Sequence, residues 1–322
     1  MRFKPDFMKK RFLLILAAPA IFATSFLARA NADEPSEAAL TSDAFARVVA
    51  PGAKVEILAT GFGFTEGPTW NPRGFWIFSD ISGNALHRIS PSGKVALVRK
   101  PSSHTNGNTY DAQNRLVSCE QSPARRVARK ELSGNFETLA EKYEGKRLNS
   151  PNDLAIRGDG SIYFTDPTYG TDKSELELDF RGLYRIFPDG KLELLDRSWN
   201  QPNGICFSPD QNTLYVGDSQ EGKIFRFDVD KNGQLSGKTL LATIPKPGDP
   251  DGMKCDAAGH LYVTGPGGVW IFAPRGGLLG KIPTPQNPAN IGFGGADGKT
   301  LLITAQDSIY SVKLKQSEGK IY

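Results

Sequence analysis

Four oxygen-bearing side chains recur at one position of a repeated segment: Glu66 before Gly67, Asn152 before Asp153, Asn203 before Gly204 and Asp251 before Gly252. Carboxylates and amide carbonyls are the ligands that hard cations such as Ca²⁺ take, and none of the four is a soft donor. The two carboxylates would balance a divalent ion and leave positions for water and substrate. Asn or Asp ahead of Gly is also a common turn former, so any one of these alone reads as structural; four in register point to a shared site.

The elements that position them repeat with the same period. Glu66, Asn106, Asn152, Asn203 and Asp251 are spaced by 40, 46, 51 and 48 residues. A further unit opens near Ala289 or Asn290, ~38 residues on, and periods of this size built from short strands mark propeller blades. After each anchor comes an apolar strand (Leu154-Ala155-Ile156, Ile205-Cys206-Phe207, Ile291-Gly292-Phe293), then a Gly/Asp turn. A second apolar strand follows (Ile162-Tyr163-Phe164, Leu214-Tyr215-Val216, Leu261-Tyr262-Val263), which makes hairpins by period and turn chemistry. Third strands are visible as Ala85–Ile89, Gly182–Ile186 and Lys223–Phe227, and fourth strands as Val95–Val98 and Leu192–Leu195. The expectation is an all-β chain: a six-bladed β-propeller of four-stranded blades over residues 51–322. Val55–Ala59 has no hairpin of its own and is expected to close the last blade. Residues 33–50 read as a linker with a short helical stretch, and the insertion at 168–181 as a lid over the pocket.

Residues 1–32 combine Arg2, Lys4, Lys9, Lys10 and Arg11 with an apolar stretch from Phe12 to Ala28 and small-residue sites ending at Ala30 and Ala32. That pattern is a cleaved signal peptide and implies export, periplasmic or else secreted, with no membrane attachment afterwards. Its removal takes away six basic side chains and one acid, Asp6, so 39 basic and 35 acidic residues become 33 and 34. A near-neutral mature chain gives no electrostatic case for nucleic acid or an anionic membrane. Cys119, Cys206 and Cys255 each lie in an apolar run and make no C-x-x-C pattern, which suits buried thiols.

Glu66-Gly67-Pro68, Ser150-Pro151-Asn152-Asp153-Leu154 with Tyr163-Phe164-Thr165-Asp166-Pro167, Pro202-Asn203-Gly204 and Pro250-Asp251-Gly252-Met253 together resemble the senescence-marker-protein/gluconolactonase (regucalcin-like) family of six-bladed propellers. The resemblance runs from about residue 52 to 315. It implies a single divalent cation, Ca²⁺ first with Zn²⁺, Mg²⁺ and Mn²⁺ as alternatives, held by Glu66, Asn152 or a neighbouring position, Asn203 and Asp251. It also implies hydrolysis of a small sugar lactone, such as glucono-1,5-lactone, with Asp251 as general base. The residues themselves support the same chemistry: a cation polarising a carbonyl while Asp251 takes a proton from the attacking water. A serine hydrolase would need a G-x-S-x-G elbow, and the chain has none.

Position near the channel mouth makes His104, Asn106, Asn108, Glu120 and Arg147 candidates for substrate contact. His87 and His260 read as structural. Gln121 stands after Cys119-Glu120 where many relatives carry histidine, so fine substrate preference does not carry over. Two other functions use the same residues: a metal-dependent phosphotriesterase or esterase, and a non-catalytic propeller that binds sugar or protein.

Overall fold

The computed structural model describes residues 36–37, 43–246 and 248–319; the expected signal segment lies outside them. Among the described residues, six antiparallel blade sheets follow one another along the chain, with a two-stranded ribbon, Lys142–Tyr143 and Lys146–Arg147, between the second and third. Blade 1 is Thr65–Asn71, Phe75–Asp80, Ala85–Ile89 and Val95–Arg99; blade 2 is Thr105–Tyr110, Leu116–Glu120, Arg126–Lys130 and Phe136–Ala140. Blade 3 is Leu154–Ile156, Ile162–Asp166, Gly182–Ile186 and Leu192–Asp196; blade 4 is Pro202–Phe207, Thr213–Asp218, Lys223–Val229 and Leu235–Thr243. Blade 5 is Met253–Cys255, Leu261–Gly265, Gly268–Ala273 and Gly276–Pro283. Blade 6 takes Asn290–Gly294, Thr300–Ala305 and Ser308–Lys313 from the C-terminal part and its next strand, Lys54–Thr60, from the N-terminal part. Glu56 lies opposite Ser311 and Ile57 opposite Tyr310, so the ring closes as expected, between the two ends of the domain.

The second strands read as unbroken apolar runs because both of their faces are covered by neighbouring blades. Ile162, Tyr163 and Phe164 are all buried, as are Leu261, Tyr262 and Val263. Outer strands are half-exposed and mixed in composition, which is why those of blades 2, 4 and 5 carry no clear apolar pattern in the sequence.

Two sets of hydrogen bonds tie successive blades together near the axis. Second-strand hydroxyls reach across to the next blade: Ser79 Oγ donates to Asn106 O, Thr165 Oγ1 to Asn203 O and Thr264 Oγ1 to Ala289 O. Backbone amides just after the anchors do likewise, Gly107 to Asn152 O, Gly204 to Asp251 O and Gly252 to Ala289 O. The strands pack so closely there that a Cβ on Gly204 would lie 2.0 Å from Asp251 O. At Gly107, Gly204 and Gly252 glycine is therefore a matter of strand approach at the axis, while Gly67 combines close approach with a left-handed backbone, φ 52°.

Residues 43–50, expected as part of a linker, are built into the domain. The helix Asp43–Val48 is present, but Phe45, Val48 and Val49 are fully buried in the core that blades 5 and 6 share, and Val49 bridges to Leu314. Phe45 fits against Gly280, where a Cβ would come within 2.5 Å of its ring. Replacing Phe45 by Ala is expected to lower the unfolding free energy by about 3–5 kcal/mol, read from urea denaturation. A mere tether would tolerate the change.

Candidate functional site

Three of the blades break register at the anchor itself. The pairing slips between Glu66 and Thr69, between Thr105 and Asn108, and between Pro202 and Ile205. Such irregularities re-aim side chains, and here they accompany anchors that turn toward the axis. Glu66, Asn106, Asn152, Asn203 and Asp251 all line one cavity of about 380 Å³; the first four are buried and Asp251 is partly exposed to the cavity.

Within it, Glu66 Oε2 accepts from Gly67 N at 2.7 Å and from Asn290 Nδ2 at 2.9 Å. The Asn290 amide also lies 3.4 Å from Asp153 Oδ2, which draws a third carboxylate into the group. Burial, and then the charge of Asp153, push the Glu66 carboxyl up to about 7, against the pull of Gly67 N–H, Asn290 and the Lys254 ammonium. Asp251 is raised well above the usual carboxylate range, first by burial and then by Glu66 and Asp153, while a hydrogen bond from Asn203 opposes the shift. Asn106 Oδ1 is buried and has no protein partner. Among the described residues, no group of three or more His, Cys, Asp or Glu forms a metal cluster. The convergent set is mixed, two carboxylates with three amides.

The wall above these groups comes from elsewhere. Phe64 and Ile81 face it from blade 1, and Gln121 follows the second strand of blade 2. Tyr169 and Gly170 belong to the 168–181 insertion. This insertion is tied to the rim: Ser150 Oγ bonds Tyr169 O, Gln201 exchanges two bonds with Thr168, and Arg125 donates to Glu175 O. The Tyr169 hydroxyl bonds Ser219 and is pushed up to about 12, by burial first and by Asp251 and its acidic neighbours second.

The remaining candidates sit outside the cavity wall. His104 holds a left-handed backbone, φ 46°, and its Nδ1 lies 2.8 Å from Ile81 O, so the ring braces a wall residue. Asn108 spends its amide on Gly67 O, Ser79 Oγ and Asn106 O, and its carbonyl on Ser118 Oγ. Glu120 is completely buried between Arg99 (2.5 Å) and Arg126 (2.7 Å), a triad that joins blade 1 to blade 2. Arg147 donates to Pro123 O and Ala124 O under the insertion. His260 pairs with Asp256 at a hairpin turn and His87 stacks on Phe78. The cysteines are buried and free, with Cys206 and Cys255 Sγ 3.8 Å apart.

The model of the SMP-30/gluconolactonase/LRE-like region matches residues 64–307. The chain belongs to this family. A gluconolactonase from Zymomonas mobilis is 33% identical over 289 residues, 81% of either chain. A pentonolactonase from Haloferax volcanii is 27% identical over 253 residues, 74% of this chain and 80% of its own. The solved gluconolactonase of Xanthomonas campestris superposes with a TM-score of 0.81 at 35% identity, covering 87% of this chain and 95% of that one.

Glu120 separates structural from substrate-contacting roles most cleanly. Glu120→Ala leaves two arginines facing a buried void, and is expected to cost about 3–5 kcal/mol of stability. KM of the folded fraction should move by less than about twofold. A large rise in KM with unchanged denaturation would place Glu120 in contact with substrate.

Proposed function

We propose that this protein is a hydrolase of small sugar lactones, with glucono-1,5-lactone as a representative substrate. The observation that carries the proposal is the meeting of Glu66 and Asp251 with Asn106, Asn152 and Asn203 on one cavity wall, in a chain whose relatives include gluconolactonases. The cavity is of a size to hold a single sugar ring, and its amides offer donors and acceptors to hydroxyl groups.

Glu66, Asn152, Asn203 and Asp251 would hold a divalent cation, Ca²⁺ first, since every donor is a hard oxygen and the two carboxylates match its charge. When bound, such an ion supplies Lewis acidity toward a carbonyl oxygen. Both bonds to Glu66 fall on Oε2, which leaves Oε1 for the cavity. Asn106, with its orphaned Oδ1, is positioned to accept from a ring hydroxyl.

Asp251 acts as the general base. It lines the cavity beside the amides, and a hydrogen bond from Asn203 fixes the carboxylate's orientation. As water attacks the lactone carbonyl, a C–O bond forms and Asp251 receives the water proton. The ring C–O bond then breaks, the proton held by Asp251 passes to the leaving alkoxide, and the new carboxyl group of the open hydroxy acid ionises to release one proton to solvent. Tyr169 and the insertion behind it limit the access of bulk water.

Each turnover releases acid, so a pH-indicator assay reads it directly. Glucono-1,5-lactone is expected to be hydrolysed, chelator to suppress the rate and added divalent cation to restore it. Asp251→Asn should lose about 100-fold or more in kcat. A folded protein that turns over no lactone, or whose turnover ignores both chelator and Asp251, would contradict the proposal.

A further inference from the structure

Resting on the lactonase reading, we infer that Gln121 is a substrate-binding residue that, with Asn106, hydrogen-bonds ring hydroxyls, so that the pocket selects polyhydroxylated lactones over unsubstituted ones. The polar side chains of the cavity wall have partners or tasks until two are left. The Tyr169 hydroxyl bonds Ser219, whose Oγ donates to Pro250 O at 2.6 Å. Asp249 pairs with Lys246 at 2.6 Å. Glu66, Asn152, Asn203 and Asp251 are the donors proposed for the cation. Asn106 and Gln121 remain.

Both of these amides are buried, each with 4% of its surface exposed. Asn106 Oδ1 has no protein partner. The Gln121 side chain makes no hydrogen bond among the described residues, although its backbone carbonyl accepts from Arg125 N at 2.8 Å. Polar groups withdrawn from water are nearly always paired, so two uncommitted amides on one cavity wall mark the place of a missing partner.

Gln121 is held where it can serve. It follows the second strand of blade 2, directly after Glu120, which Arg99 and Arg126 fix. Thr105 lies opposite Glu120 across the hairpin, and Asn106 is the next residue along that first strand. From the other side the insertion closes in: a Cβ on Gly170, whose φ is 70°, would lie 2.9 Å from Gln121 Oε1. The amide is thus confined between blade and insertion at the cavity wall. A primary amide offers two N–H donors and a carbonyl acceptor, and Asn106 Oδ1 adds a second acceptor. A hydroxyl donates and accepts at once, so a polyhydroxylated ring can satisfy both side chains, whereas a bare ring displaces water and leaves them unpaired. Sites built in this way reject the analogue that lacks the hydroxyl.

The test measures kcat and KM for glucono-1,5-lactone and for δ-valerolactone, a six-membered lactone without hydroxyls, in wild type and in Gln121→Met. The substitution keeps the length of the side chain and removes the amide, and urea denaturation checks that the variant is folded. Intrinsic reactivity of each lactone is common to both proteins, so the change in the ratio of kcat/KM reads the amide alone. That ratio is expected to fall by about 10-fold, through a raised KM for glucono-1,5-lactone, with δ-valerolactone changed by less than about twofold. A second reading needs no turnover of the bare ring. In wild type, 1,5-anhydroglucitol, which keeps the ring hydroxyls and cannot be hydrolysed, should inhibit competitively where tetrahydropyran does not, and should inhibit about 10-fold more weakly in the variant. Equal losses on both lactones, an unchanged KM in the folded variant, or inhibition by 1,5-anhydroglucitol no better than by tetrahydropyran would overturn the inference and leave the lactonase intact. Turnover of no lactone by folded wild type would overturn the lactonase reading, and this inference with it.

Discussion

The structure is organised around buried carboxylates that the fold forces together. Six first strands converge on one axis, and with them come Glu66, Asp153 and Asp251, each raising or feeling the charge of the others. Taking a single unpaired carboxylate out of water costs several kcal/mol, against a total stability of about 5–15 kcal/mol for an ordinary domain. Asn290, Gly67 N–H and Asn203 offset part of that cost, and the Lys254 ammonium adds a more distant contribution. The rest must come from the blades. Closure of blade 6 by Lys54–Thr60 and the burial of Phe45 and Val48 beside it seal the ring that holds these charges in place.

The same convergence explains which features were legible in the sequence. A fixed anchor ahead of an apolar hairpin survives as a linear period, so the blade count, the closing strand and the four anchor side chains that line the cavity could be read directly. What a period cannot give is the side to which a residue turns after an irregular step. Asn108 lies two residues beyond Asn106, and the slip between Thr105 and Asn108 sends it between blades while Asn106 faces the cavity. Asp153 and Asn290 join the central group through side-chain contacts at the axis that span 137 residues of sequence. Glu120 looked like a pocket residue because it ends a second strand; its two arginine partners come from a neighbouring blade and a neighbouring strand.

Wall and floor have different origins. The floor is made by the repeat and is as rigid as the ring. The wall is made by what the repeat leaves free: the residue after a strand, Gln121, and the insertion that carries Tyr169. Loops on a rigid scaffold are where specificity is adjusted. Here the adjustable part is anchored, through Arg125, Gln201 and Ser150, so the pocket keeps a defined shape above its acidic floor.

The central claim is that these convergent oxygens form a cation site. Calorimetric titration of chelator-stripped protein with CaCl₂, beside Glu66→Gln, tests it without recourse to activity. The account predicts one saturable site in the wild type and affinity weakened by at least about 10-fold in the variant. Absence of saturable binding to folded protein, or binding indifferent to Glu66, would contradict it.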